Sequence, residues 1–211
     1  MNAPLATWSA AWLVALLSAL LLHASVRAAN PTSLIMNATA ATSAAAAAAA
    51  NTAPAAPPEV QAALPKAQLI GKGNLRFFGL LVYEARLWAA PGFKPAAYET
   101  QPFALELEYA RKLDGSSIAE RSVAEMRRVG SFSDEQARTW LALMTQAFPD
   151  VAAKDRLVGL HDGKGGVRFL YNARPTASTS DRDYAKLFFG IWLHPETSAP
   201  ALRQALIGAT D

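Results

Sequence analysis

The chain has 211 residues, of which 52% are hydrophobic and 18% charged, whereas ordinary soluble domains are about a quarter charged. The deficit is local, because only Arg27 and Glu59 are charged before Lys66, so a nearly uncharged leader precedes a domain of normal composition. The absence of cysteine excludes a disulfide framework, a cysteine zinc site, an iron–sulfur cluster, a thiol nucleophile and a lipoprotein anchor. A net charge of +3, with no run of Lys and Arg interleaved with aromatics, leaves no nucleic-acid footprint, and no nucleic-acid partner is expected.

Residues 1–28 read as a secretory signal peptide. Ala10 to Leu22 are apolar except for Ser18, and Val26-Arg27-Ala28 offers the small residues that a signal peptidase requires. The expected location is therefore periplasmic or secreted. No Lys or Arg precedes the apolar run, which leaves an uncleaved anchor open as the one expected route to a membrane. Residues 29–63, rich in Ala, Pro and Thr and including the alanines Ala44 to Ala50, predict a disordered linker. Residues 64–211 are left as a single domain, large enough to bury a core without metal or disulfide support.

Within that domain, Gln68 to Trp88 has strand composition punctuated by Gly71, Gly73 and Gly79, with Leu81, Tyr83, Ala85 and Leu87 alternating against Val82, Glu84, Arg86 and Trp88. Pro102 to Ala110 alternates more cleanly and predicts a half-buried antiparallel strand, its Glu106 and Glu108 sharing a solvated face. Ser116 to Val129 predicts a helix. A second follows from Ser133, which with Gln136 forms a capping box, and Trp140, Leu141, Met144 and Phe148 supply its apolar stripe up to Pro149. Asp155 to Asp162 and Val167 to Asn172 flank Gly163-Lys164-Gly165-Gly166 as a hairpin. Ser180 introduces a helix bearing Tyr184, Leu187, Phe188 and Ile191, where Gly190 allows close approach. A last helix starts near Ser198 or Ala199, with Pro200 in its first turn and Gly208 past its end. This order predicts an α+β domain with an antiparallel sheet covered by helices.

The usual catalytic patterns are missing. His23, His161 and His194 are not at ligand spacing, so neither metal nor cofactor is expected; no Ser lies in a nucleophile elbow, and no residue is singled out as catalytic. Ser122 has a hydroxyl that either enters a cleft or bonds back to its own helix, and Glu125 is placed to pair with Arg121 or Arg128. Trp140 and Trp192 read as core anchors.

Several segments taken together resemble a known group. Gly73 to Ala85 with Leu87-Trp88, Tyr109-Ala110-Arg111, Ile118-Ala119 with Ser122, Glu125-Met126 and Arg128, Phe148-Pro149-Asp150-Val151, Asp155-Arg156-Leu157, and Phe188 to Leu193 with Pro195, Thr197-Ser198, Pro200 and Leu202-Arg203 resemble exported bacterial chalcone isomerase-like proteins. The resemblance implies an open-faced β-sandwich, an antiparallel sheet overlaid by a layer of helices with a ligand cleft between them. It also implies two activities. The plant enzyme is an isomerase of the intramolecular lyase type that closes a chalcone ring, using a cation and hydroxyl donors. Phe78 and Leu187 fall where its two threonines would be, and Lys66 is the nearest candidate for its arginine. The related plastid fatty-acid-binding proteins hold a carboxylate with an arginine and a tyrosine, and the corresponding clamp here draws on Arg111, Tyr109, Tyr83 and Arg76, with Ser122 also at the cleft. The expected partner is a fatty acid or another amphipathic small molecule, and an isomerase is the alternative. The residues themselves leave open whether Arg111 only caps the sheet edge and Tyr83 only fills the core.

Overall fold

The structure is a computed structural model and describes residues 54–208. The expected signal peptide and most of the expected linker lie outside the described residues. Along the chain come α1 (Pro58–Ala63), β1 (Gln68–Phe77), β2 (Leu80–Ala89), a 3₁₀ segment (Pro95–Thr100), β3 (Pro102–Tyr109), α2 (Gly115–Val129), α3 (Asp134–Ala147), β4 (Arg156–Asp162), β5 (Val167–Tyr171), β6 (Arg174–Thr179), α4 (Arg182–Leu193) and α5 (Pro200–Ile207). The six strands form one antiparallel sheet in chain order, β1 to β6. The α+β class and the sheet with its helical layer are as the sequence predicts.

Local chemistry explains most boundaries. Ser133 accepts the Gln136 amide while the Gln136 side chain accepts the Ser133 amide, so the capping box at the start of α3 forms as predicted. Asp181, rather than Ser180, caps α4 by accepting the amides of Asp183 and Tyr184. Asp162 accepts the amides of Lys164 and Gly166, which closes the glycine-rich β4–β5 turn. Sequence reading gives one glycine-punctuated strand from Gln68 to Trp88, but the chain turns back at Phe78 and Gly79. Both residues have positive φ, 47° and 79°, as a two-residue hairpin turn of type I′ demands.

Period-two alternation then sorts side chains to two faces. Tyr83, Ala85, Leu87, Phe103, Leu105, Leu107, Tyr109, Leu157 and Phe169 belong to the main core with α2, α3, α4 and α5. Trp88, Ala104, Val158, Leu160 and Leu170 form a second, smaller core on the outer face, into which α1 inserts Val60. Residues 58–63, expected as part of the linker, therefore belong to the domain as α1. Its Ala-rich composition hid a single apolar anchor.

The outer face also corrects the expectation that Glu106 is solvated: it is 1% exposed. Its carboxylate accepts from Trp88 Nε1 at 2.8 Å, Arg156 at 3.0 Å and Arg86 at 3.2 Å. Arg156 continues to Glu59 of α1 at 2.6 Å. Arg86 also bridges Glu84 and Glu108, which face each other across β2 and β3 and would otherwise repel. A carboxylate surrounded by two donors from β2 and by the helix-linked Arg156 of β4 is satisfied without bulk water.

Two outcomes follow from this packing. A Cβ at Gly71 would lie inside contact distance of the Ala205 and Leu206 carbonyl oxygens, so Gly71→Ala should push α5 off β1 and cost roughly 1–3 kcal/mol, measurable by urea unfolding. Glu106→Leu should leave two guanidinium groups and an indole N–H short of an acceptor; the arginines' partial exposure to water limits the loss to about 1–3 kcal/mol, which calorimetry would register as a lower unfolding midpoint.

Candidate functional site

The helix side of the β2–β3 pair brings together part of the predicted set. Tyr83 and Tyr109 are register partners, with ring centroids 5.8 Å apart in edge-to-face contact. Trp192 of α4 donates its indole N–H to the Tyr83 hydroxyl at 2.9 Å. Glu125 of α2 lies close enough to act on that hydroxyl electrostatically, and Arg121, its ion-pair partner at 2.5 Å, opposes it. Arg111 lies two residues past the end of β3, and its Nε is buried without a hydrogen-bond partner among the described residues. The sheet end thus carries two phenols, an indole and a guanidinium whose Nε is buried and unpartnered among the described residues.

Other predicted residues are placed differently. The Ser122 hydroxyl donates to the Ile118 carbonyl of its own helix at 2.8 Å, so it resolves toward back-bonding. Arg76 sits at the exposed β1–β2 turn and donates to the Gly79 carbonyl at 3.0 Å. Phe78, placed by resemblance at a threonine position in the cleft, occupies the turn itself and is 88% exposed. Reading a hairpin as a single strand moved it. Leu187 is buried on α4, where its side chain would meet a Cβ added at Gly130 of the α2 C-cap. Lys66 is exposed in the turn between α1 and β1. Neither it nor Phe78 joins the tyrosine pair.

Buried aromatic side chains occupy much of the space between sheet and helices where an open cleft is expected. Stacked Tyr184 and Phe188 lead to Phe169 and Phe148, and Phe188 continues through Phe189 to Phe103, with successive centroids 4.7–5.4 Å apart. All six are buried. Large apolar side chains from both layers meet there. An open depression is present elsewhere, lined by Gln146 of α3, Arg168, and Pro175 to Ser178 of β6.

Burial, chiefly, drives the Tyr83 hydroxyl far above its ordinary pKa; the Trp192 hydrogen bond works against this and the Glu125 carboxylate adds to it. Tyr109 is raised by burial and by Tyr83 beside it. Both hydroxyls stay protonated at neutral pH, so they act as hydrogen-bond donors rather than phenolate bases. In the sequence Trp192 reads only as a core anchor. Its link to Tyr83 spans 109 positions and has no local signature.

No family model matches this chain. It is similar to an uncharacterised protein of Haemophilus influenzae (strain ATCC 51907 / DSM 11121 / KW20 / Rd), 28% identical over 145 residues, which cover 68% of this chain and 69% of that protein. Among solved structures it resembles a fatty-acid binding protein of Arabidopsis thaliana, with a TM-score of 0.54 and 12% identity, covering 67% of this chain and 87% of that one. The described domain has a chalcone isomerase-like fold.

The tyrosine environment has a measurable consequence. A group whose folded pKa is raised contributes stability below its unfolded pKa, about 10 for tyrosine, and loses it as the pH climbs toward the folded value. Stability should therefore fall above pH ~10, and ultraviolet titration should show Tyr83 and Tyr109 ionising only as the domain unfolds. Tyr83→Phe should flatten part of that alkaline slope.

Proposed function

We propose that this chain is an exported, non-catalytic member of the chalcone isomerase-like group that binds a fatty acid or another amphipathic acid. The acid group is held at the end of the sheet by Tyr83, Tyr109 and Arg111. The observation that carries this reading is the buried, unpartnered Nε of Arg111, just beyond Tyr109 in β3. A desolvated guanidinium donor favours an anionic acceptor, and a carboxylate supplies one with bidentate geometry. The adjoining aromatic layer suits an acyl tail. Similarity of fold to a protein named for fatty-acid binding supports the same ligand class, and the apolar leader supports export.

Because the layer is packed, tail entry requires α2 or α4 to move and core side chains to change rotamer. The buried aromatic layer also favours a second reading, a domain that works through its outer surface and holds no small molecule. The isomerase alternative has less support, since Leu187 has no hydroxyl and the Ser122 hydroxyl is spent on Ile118.

Extraction of the natively purified protein followed by mass spectrometry separates these readings. A co-purifying long-chain acid, with saturable uptake of a fluorescent fatty acid, is expected. Arg111→Ala should weaken uptake on the order of 10- to 100-fold, the worth of a charge-assisted hydrogen bond, while leaving the fold intact. An empty protein that takes up no probe would overturn the binding reading and leave the surface role.

A further inference from the structure

Among the described residues, the exposed large hydrophobic side chains are Phe77, Phe78 and Leu80, at 51%, 88% and 47% exposure, and all three belong to the β1–β2 hairpin tip. Apolar residues scattered singly over a surface are ordinary, but three gathered on one convex turn mark a contact surface. The backbone supplies a second observation. Phe78 has φ 47°, a left-handed conformation that strains a bulky residue and in a type I′ turn normally belongs to Asn, Asp or Gly. A turn serving the fold alone has no use for Phe there. The two rings meet edge to face at 4.5 Å, and a Cβ placed on Gly79 would find open space.

Charge narrows the choice of partner. Lys72 and Arg76 are the charged residues between Gln68 and Tyr83, and no acidic residue lies in that stretch. Arg76 is tied to the turn through the Gly79 carbonyl at 3.0 Å. At the same sheet end Ala110 bonds to Val82, so Arg111 and Lys112 emerge beside β2, with Asp114 the next acidic group along the chain. An aromatic wedge with a cationic collar suits the boundary between lipid headgroups and acyl chains. Aromatic rings settle at that level, and arginine reaches back to the phosphates.

We propose that the β1–β2 hairpin tip docks the domain on an anionic lipid surface, Phe77, Phe78 and Leu80 entering the interface and Arg76 meeting lipid phosphate. The docking surface goes beyond ligand binding and does not depend on it. With so few apolar groups inserted, attachment is reversible and weakens with salt.

The lack of cysteine permits a clean test in the full chain. Leu80→Cys carrying an environment-sensitive fluorophore should shift to the blue with phosphatidylglycerol–phosphatidylcholine vesicles, much less with phosphatidylcholine alone. The same label at Glu135→Cys, exposed at the start of α3, should stay water-like. The double variant Phe77→Ser, Phe78→Asn retains the leader, so any leader binding is common to both chains. It should float with anionic vesicles at least fivefold less than the wild type, with an unfolding midpoint equal or higher because Asn suits the turn. A tip label indifferent to every vesicle, or equal flotation of variant and wild type, would overturn the proposal. So would a blue shift that grows with protein concentration in the absence of lipid, which would assign the tip to a second copy of the chain.

Discussion

The arrangement depends on the register between β2 and β3. Pairing Tyr83 with Tyr109 and Arg86 with Glu106 sends one set of side chains to the helices and the other to the outer face. A one-residue slip of β3 against β2 would exchange its two faces, burying Glu106 and Glu108 against the helices and turning Leu105 and Leu107 outward. Apolar burial resists that slip on the helix side. On the outer face, the Glu106 contacts to Trp88, Arg86 and Arg156 resist it by geometry, since no shifted register returns these donors to one carboxylate. Buried ion pairs are weak sources of net stability, and specifying register is a better account of this one.

The same register builds the candidate site. Two phenols reach one end of the helix side because they are strand partners, and Arg111 arrives there because it follows Tyr109 by two residues. Trp192 then fixes the Tyr83 hydroxyl from α4. Neutral donors and a guanidinium can hold an anion or a polarised carbonyl, but they provide no base. The packed aromatic layer adds a further condition, namely that recognition of a long ligand must be coupled to displacement of core side chains.

Features carried by short-range patterns were legible in the sequence. The strand over Pro102 to Ala110, although buried on both faces and not half-buried, the Ser133–Gln136 box, the glycine-rich β4–β5 turn, and Pro200 with Gly208 around α5 all appear where expected. Gly190 does admit a close neighbour, since a Cβ there would meet Val129. Features that depend on distant partners were not legible. α1 hid because Val60 is its one buried residue inside an alanine-rich stretch. β6 hid because Arg174 to Thr179 is polar and contains Pro175, ordinary for an edge strand yet unlike a core one. Glu106 looked solvated because alternation reports which face a residue takes, not what covers that face. Strand parity makes the helix-facing side of Tyr83 and Tyr109 legible, whereas it does not show Arg76 beside the Phe78–Gly79 turn.

The central claim is that the Tyr83, Tyr109 and Arg111 end of the sheet receives the acid group of an amphipathic ligand. Carbon-13 NMR of a carboxyl-labelled long-chain fatty acid mixed with the protein tests it most directly. The account predicts a distinct bound carboxyl resonance that keeps its ionised position at pH values where the free acid protonates, and that loses this behaviour in Arg111→Ala. A spectrum containing only the free acid, or a bound resonance that is the same in wild type and Arg111→Ala, would contradict it.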